Sequence, residues 1–259
     1  MLPFKKIPSK ENHKPLIRWS VGGCSNRGIE ILEESVRTAK ILYPDFDYTI
    51  CYNNLTDYQF NKISQFNIPL VNSHNFVNLL AIEPRGAMWA LLPPIRLNPN
   101  GYELYMDNDI ILTNRMPLID KWLQNDMIIC TRQYKKRAGR PINYGEYGHL
   151  ISRKIPPLNT GFFGLPPQFQ LHLNKIINKV GKVKKNHHNF QGIIAACLTE
   201  HPNLVPISKD DIKLCRNTRK NLDKWSGKYG THFITANNNN PHPCWEIYKN
   251  NLKKTILLF

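Results

Sequence analysis

The chain has 259 residues, 41% of them hydrophobic and 21% charged, which is ordinary for a soluble protein with one medium-sized domain. No apolar stretch reaches the roughly 18 residues that a membrane span needs, and none of the six cysteines forms a C-x-x-C pair of the kind that binds zinc or carries redox chemistry. The formal net charge of +16 predicts attraction to anions, whether nucleic acid, anionic lipid or phosphorylated small molecules.

The N-terminal segment is too polar for a signal peptide, and cysteines in apolar runs, such as Cys130 and Cys197, are typical of buried thiols. We therefore expect a soluble cytoplasmic protein, whose contact with any membrane would be peripheral. Residues 1–15 form a predicted arm, residues 16–248 a single domain, and residues 249–259 a tail that packs on that domain.

Strand and helix patterns alternate through the first part of the chain. Residues 15–21 predict a strand, 27–43 a helix with apolar residues at helical spacing, and 48–52 a second strand. A helix with Thr56 as its N-cap follows, and then a short strand at 68–71. This alternation indicates a parallel sheet covered by helices, in which ligands bind beyond the carboxyl ends of the strands.

The patterns after residue 84 continue the same architecture. A helical pattern ends at Pro93, and residues 132–154, basic and rich in Gly and Tyr without periodicity, predict a mobile loop. No element is predicted beyond residue 207. The other predicted elements are strands at 102–106, 110–112, 126–130, 158–165 and 204–207 and helices near 168–180 and 191–198.

Two aspartates, Asp107 and Asp109, stand one residue apart at the end of an apolar strand. Strand side chains at this spacing point the same way, and two carboxylates on one face repel unless a cation lies between them. Hard oxygen ligands favour Mg²⁺, Mn²⁺ or Ca²⁺. A strand-ending turn is the alternative, because Asp and Asn are common in turns. The apolar residues on both sides, where unpaired charge would be costly, favour the metal site.

The run at 89–112 resembles the strand–D-x-D–strand element of GT-A fold glycosyltransferases, most closely the glycogenin-like and galactosyltransferase-like enzymes of family 8. Other segments are similar to motifs of that family and occur in the same order, so that the resemblance spans residues 16–248. These segments are 20–23 in the first strand, 35–37 in the first helix, 159–161, 190–192, and 231–234 with Pro243 and Trp245 downstream.

The resemblance implies an α/β protein of the GT-A (Rossmann-like) type, with a mixed, mainly parallel sheet and helices on both faces. It also implies a metal-dependent enzyme that moves a sugar from a nucleotide diphosphate sugar, a UDP-sugar above all, to a saccharide, protein or lipid-linked acceptor. The implied cofactor is Mn²⁺ (or Mg²⁺), held by Asp107, Asp109 and His232, with His242 as the alternative third ligand. A nitrogen ligand favours Mn²⁺.

The resemblance assigns roles to further residues. Gln191 and Asp109 are the implied catalytic residues, but Phe190 stands where the family has an acid, and Thr235 where it has a glycine. These departures leave the donor sugar and the stereochemical outcome open. The residues implied to bind the nucleotide sugar are Val21, Gly22, Asn26, Arg85, Asp107, Asn108, Asn159, Thr160 and Gly161.

The net charge also suggests a basic nucleic-acid-binding protein. Its basic clusters at 135–137 and 182–185 have no interleaved aromatic residue apart from Tyr134, so we do not expect a nucleic-acid partner. They suit either a solvated surface or a lid over a diphosphate or an anionic acceptor. A sugar nucleotidyltransferase shares the α/β layout, but residues 22–27 resemble its Gly-rich loop only faintly. A GT-A scaffold without activity is a further alternative.

Overall fold

The computed structural model describes residues 13–81, 96–133, 144–152, 154–181, 187–234, 236 and 240–256. Several predicted features lie outside the described residues. They are most of the N-terminal arm, the helical pattern before Pro93, Arg85, and the basic clusters at 135–137 and 182–185. None of the helices within the described ranges is long and apolar enough to cross a membrane.

The first five elements are β1 (Leu16–Gly22), α1 (Asn26–Leu42), β2 (Asp47–Asn53), α2 (Asp57–Ser64) and β3 (Leu70–Asn72). Their order and type are those predicted. Thr56 caps α2 in a reciprocal box, because its Oγ1 accepts from Gln59 N at 3.3 Å while Gln59 Oε1 accepts from Thr56 N at 3.1 Å.

The remaining elements continue the alternation and add short pieces near the C-terminus. 3-10 helices cover Ser73–Leu79 and Gly145–Leu150. The regular elements are β4 (Glu103–Asp107), β5 (Ile110–Leu112), α3 (Pro117–Trp122), β6 (Ile128–Arg132), β7 (Leu158–Leu165), α4 (Leu173–Val180), α5 (His187–Leu198), β8 (Leu204–Ile207), β9 (Ile212–Leu214), α6 (Leu222–Trp225), β10 (Gly230–His232) and α7 (Pro243–Ile256).

Seven strands of the described chain form one sheet in the order β3-β2-β1-β4-β7-β6-β8. Only β7 runs antiparallel to its neighbours in this sheet, so the predicted mixed, mainly parallel sheet is confirmed. A second, three-stranded sheet has the order β5-β10-β9. Because β5 follows β4 after a turn at 108–109, the two sheets meet at the carboxyl end of β4.

Helices cover both faces of the large sheet, as predicted. Leu104 and Met106 of β4 belong to the core that contains the buried faces of α1, α2 and α3. Tyr105, which lies between them, belongs to the opposite core with α4 and α5. This alternation follows from the two-residue period of a strand. Five of the six cysteines are buried, Cys24 is partly exposed, and all six are free thiols.

Helix α7 packs the C-terminal part of the chain against the domain. It contributes Cys244 and Trp245 to a third core, with Ile31 of α1 and Phe233. Tyr248 Oη donates to Glu34 Oε1 of α1 at 2.9 Å. The helix passes through residue 249, where the sequence suggested the beginning of a tail that packs on the domain.

Two local predictions were wrong. Residues 134–143 of the predicted mobile loop at 132–154 lie outside the described residues, but its described part contains an ordered 3-10 helix whose Tyr147 is fully buried. This segment packs closely on α5. A β-carbon at Gly192 of α5 would lie only 2.2 Å from Tyr144 O, so a larger residue would not fit there. Helix α4 begins at Leu173 rather than near residue 168, since Gln168 has a φ of 67° and cannot continue a right-handed helix.

Candidate metal centre

Asp107 is the last residue of β4 and lies at the carboxyl edge of the large sheet. It pairs with Ser20 of the parallel strand β1. Asp109 follows in the turn that leads to β5, so the two carboxylates are not on one continuous strand as the spacing suggested. Ser35 of α1 supports this turn, because its Oγ accepts from Trp19 Nε1 at 2.9 Å and donates to Ile110 O at 2.6 Å.

Strand β10 places His232 next to both aspartates. His232 pairs with Ile110 in the antiparallel β5–β10 ladder, and Phe233 N donates to Asp109 O at 2.8 Å. His232 Nε2 lies 3.0 Å from Asp109 Oδ1 and 3.8 Å from Asp107 Oδ2. One ligand atom from each of the three residues lies within 4.8 Å of the others. Two carboxylates and an imidazole thus converge on one point.

The burial and the polar atoms of this cluster are those expected of a cation site. The side chains of Asp109 and His232 are 6% and 7% exposed, whereas that of Asp107 is 34% exposed. Asp109 Oδ1 is buried with His232 Nε2 3.0 Å away, and His232 Nδ1 is buried without a hydrogen-bond partner among the described residues. Unpaired buried polar atoms are costly, and a cation would satisfy the carboxylate oxygen. The donor set, two hard oxygens and one imidazole nitrogen, fits a divalent metal ion.

Burial and, to a smaller extent, the nearby Asp109 raise the pKa of Asp107 to about 6, although His232 and the hydroxyl of Tyr105 oppose the shift. Burial lowers the pKa of His232, but Asp109 and Asp107 outweigh this effect and raise it above its ordinary value. Both shifts favour the protonated forms of Asp107 and His232, and a divalent cation would replace those protons.

Strand β7 forms the wall beside the cluster, and Gly161 is its point of contact. A β-carbon at Gly161 would lie 2.4 Å from Asp107 Oδ2 and 3.0 Å from Asn159 Oδ1. Asn159 Oδ1 accepts from Gly161 N at 3.1 Å, and Asn159 Nδ2 donates to Gln133 Oε1 at 3.1 Å. Asn159 and Thr160 are each 8% exposed. The residues at 159–161 thus border the space in front of Asp107.

The histidine assigned as the alternative third ligand lies elsewhere. His242 is fully buried, and its Nε2 lies 3.1 Å from Cys215 O. Its ring makes an edge contact with Phe233 at 5.6 Å between centroids. His242 therefore belongs to the packing of α7, and His232 is the histidine that the fold brings to the aspartates.

Other residues assigned to donor binding have structural contacts. The side chain of Val21 lies in the core, so only its backbone can face a ligand. Gly22 abuts Asn53, whose Oδ1 would lie 1.8 Å from a β-carbon at position 22. Asn26 Oδ1 accepts from Gln59 Nε2 at 3.2 Å, and Asn108 Nδ2 donates to Gly28 O at 3.3 Å.

Gln191, assigned to catalysis, lies beside the beginning of β7. Its Nε2 donates to Leu158 O at 3.2 Å. Asn189, two residues earlier, is fully buried, and its Oδ1 accepts from Glu146 N at 2.8 Å. Asn189 therefore holds the 3-10 helix at Gly145–Leu150 and does not replace the acid that the family has before Gln191.

Sequence reasoning missed Tyr105. Its hydroxyl donates to Asp107 Oδ1 at 2.9 Å, and it is almost fully buried. Burial, followed by the charge of Asp107, raises the pKa of Tyr105 well above its ordinary value, so the hydroxyl keeps its proton. The signal was present, because residues 105 and 107 are two apart in a strand and therefore share a face.

No protein-family model and no curated protein matches the chain. Solved structures do match it. Galactosyltransferase LgtC, in complex with donor and acceptor sugar analogs, matches over 85% of this chain and 87% of its own, with 11% identity and a TM-score of 0.55. Mouse xyloside xylosyltransferase 1 matches over 87% of this chain and 98% of its own, with 10% identity and a TM-score of 0.51.

The bifunctional glycosyltransferase WbbM matches over 94% of this chain, with 12% identity and a TM-score of 0.59. This chain spans 52% of the length of the WbbM chain. At identities of 10–12% these similarities concern the fold. The chain has the GT-A fold, as shown by the strand order, by the single antiparallel strand β7 within the large sheet and by these three similarities.

Proposed function

We propose that the chain is a metal-dependent glycosyltransferase that transfers a sugar from a nucleotide diphosphate sugar, with a UDP-sugar favoured, to a saccharide or glycoconjugate acceptor. The observation that carries the proposal is the convergence of Asp107, Asp109 and His232 at the carboxyl edge of a GT-A sheet. Ligands of open α/β sheets bind at this edge. The three proteins compared above are described as glycosyltransferases, and LgtC was crystallised with donor and acceptor sugar analogs.

The chain's residues have distinct tasks in this proposal. Asp107, Asp109 and His232 hold the cation, for which we favour Mn²⁺ because one ligand is an imidazole. When bound, a divalent ion neutralises the negative charge that develops on a departing diphosphate. The absent side chain of Gly161 lets strand β7 lie directly against Asp107 Oδ2 and His232.

The donor sugar would lie along the residues at 159–161 and near Gln191. Gln191 is held by Leu158 O, so its amide is fixed beside the strand that borders the metal centre. In a site closed to water, a fixed dipole stabilises developing charge without reorganising. Phe190 precedes Gln191 and is 6% exposed, so no carboxylate stands there to bind sugar hydroxyls. The identity of the sugar therefore has to be determined with a panel of nucleotide-sugar donors.

The net charge of +16 favours an anionic donor and suits an anionic acceptor. It does not select a nucleic acid, since the basic clusters of the sequence have no interleaved aromatic residue apart from Tyr134.

Release of nucleotide diphosphate tests the proposal. The purified full chain is incubated with a panel of UDP-sugars and GDP-sugars, with Mn²⁺, with Mg²⁺ or with EDTA, and free UDP or GDP is measured. We expect release from at least one donor with metal and none with EDTA. Asp109→Asn, which keeps the size of the side chain, should abolish it. Release that is equal with EDTA, or no release from any donor, would contradict the proposal.

A further inference from the structure

Tyr105 connects the metal centre to the interior of the large sheet. It precedes Asp107 by two residues on β4, and its hydroxyl donates to Asp107 Oδ1 at 2.9 Å. The other oxygen, Oδ2, is the one nearest His232 Nε2, at 3.8 Å. The two oxygens of this carboxylate therefore have different partners, one inside the protein and one at the centre.

The ring of Tyr105 is fixed in place by its neighbours. It stacks on Phe163 of β7 with centroids 4.8 Å apart and an interplanar angle of 19°. The guanidinium of Arg18 lies 5.7 Å from the ring centroid. Arg18 is itself buried and paired with Glu103 at 3.2 Å. A ring held in this way fixes the position of its hydroxyl oxygen, and the nearby Asp107 Oδ1 sets the direction in which the hydroxyl donates.

We propose that Tyr105 is a positioning residue of the metal centre. Its hydroxyl holds Asp107 Oδ1, so that Asp107 presents Oδ2 alone to the cation. This inference rests on the proposed function, since it assumes that a metal binds at Asp107, Asp109 and His232. A carboxylate that is oriented before the cation arrives loses less entropy on binding, and its single free oxygen leaves coordination positions for the phosphates of a donor.

A purely structural role would make a different prediction. A buried tyrosine hydroxyl needs an acceptor, and Asp107 could serve only to satisfy it. In that case, loss of the hydroxyl would change the stability of the metal-free protein and leave its affinity for a cation unchanged. Measuring the metal affinity of Tyr105 variants, with and without Asp107, therefore distinguishes the two roles.

The test is a titration of the full chain with Mn²⁺ alone, followed by the electron paramagnetic resonance signal of the free ion. Tyr105→Phe keeps the ring on Phe163 and removes only the hydroxyl. We expect it to weaken Mn²⁺ binding by about 10- to 100-fold, the range typical of partners that orient a metal ligand. The matched control is Tyr102→Phe, whose hydroxyl makes only a long bond of 3.4 Å to Asn125 O. We expect its affinity to be that of the wild type.

A double-mutant cycle assigns the effect to the carboxylate. In an Asp107→Asn background, Tyr105→Phe should cause no further loss, because the oriented oxygen has already been replaced. Substitution of 4-aminophenylalanine at position 105 keeps a donor on the ring and should restore most of the affinity. This second variant also guards against a folding defect in Tyr105→Phe, as do thermal unfolding curves of the metal-free proteins.

The outcomes distinguish this inference from the proposed function. If the wild type binds Mn²⁺ and Tyr105→Phe binds it equally well, the positioning role is overturned and the metal centre stands. A loss of the same size in the Asp107→Asn background would also overturn it. If the wild type binds no Mn²⁺, both the inference and the metal-dependent function are overturned.

Discussion

Gly161 lies so close to Asp107 that a β-carbon at position 161 would stand 2.4 Å from Asp107 Oδ2. The same β-carbon would lie 2.8 Å from His232 Cε1. Strand β7 therefore approaches the candidate metal centre within a distance that only glycine allows. This contact makes the backbone of β7, and not only the three candidate ligands, part of the site.

Gly161→Ala should disrupt the metal centre. The added methyl group must displace Asp107 Oδ2 or His232, and overpacking of this kind costs about 1–3 kcal/mol. We expect Mn²⁺ affinity to fall about tenfold or more, which corresponds to at least about 1.4 kcal/mol, with a lower melting temperature. The control is Gly148→Ala, where the nearest atom would lie at 3.8 Å. Wild-type Mn²⁺ affinity in Gly161→Ala would show that the described geometry is wrong.

The two candidate histidines should respond differently to substitution. His232→Ala removes a candidate ligand, so Mn²⁺ affinity should fall about tenfold or more while the protein remains folded. His242→Ala removes buried contacts with Cys215 O and Phe233, so the free energy of unfolding should fall by about 1–3 kcal/mol. Thermal unfolding and Mn²⁺ titration of both variants check this. Loss of Mn²⁺ binding in a folded His242→Ala, with none in His232→Ala, would reverse the assignment.

Mn²⁺ affinity should fall as the pH decreases through the pKa of Asp107. That pKa is raised to about 6, and the cation binds the carboxylate form, so protons compete with it more strongly at lower pH. Between about pH 7.5 and about pH 5.5 we expect a loss of roughly fourfold from Asp107 alone, and more from His232, whose pKa is also raised.

Calorimetric titration in two buffers of different ionisation enthalpy measures the protons released on binding. Release near pH 6 is the expected result, since the bound cation displaces protons from the centre. An affinity that is independent of pH over this range, with no proton release, would argue against binding at Asp107 and His232.

Gln191 should affect turnover and not metal binding. Its amide is fixed on Leu158 O and does not belong to the metal cluster. For Gln191→Ala we expect a kcat about tenfold to hundredfold lower in donor hydrolysis, with an unchanged Mn²⁺ affinity. Gln124→Ala, at an exposed position after α3, is the control. An unaltered kcat in Gln191→Ala would remove this residue from the proposed mechanism.

The longer elements and the short strands β3 and β5 were predictable from the sequence, whereas the short strands β9 and β10 were not. The first five elements and the strand at Glu103–Asp107 have patterns that local sequence determines. Strands β9 and β10 have three residues each, too few for a periodicity, and they exist because they pair with β5 and with one another. The resemblance already favoured His232 over His242, but only the pairing of β10 with β5 shows that His232 lies beside the aspartates.

In the candidate metal centre, too, some features were predictable from local sequence and others depend on contacts between distant segments. The two aspartates were recognisable because carboxylates in an apolar frame are conspicuous, although their convergence depends on a turn rather than on strand alternation. Asn108 was assigned to donor binding, yet its amide donates to Gly28 O, a partner 80 residues away in sequence. Contacts between distant segments decide such roles, and the local pattern around residues 107–109 does not contain them.

The most direct test of the central claim is the metal dependence of nucleotide binding. Thermal unfolding of the full chain is followed with UDP or GDP, with and without Mn²⁺, in the wild type and in Asp107→Ala. A nucleotide that binds only the folded protein raises its melting temperature. We predict stabilisation by a nucleoside diphosphate only when Mn²⁺ is present, and none in Asp107→Ala. Equal stabilisation without Mn²⁺, or in Asp107→Ala, would contradict the account.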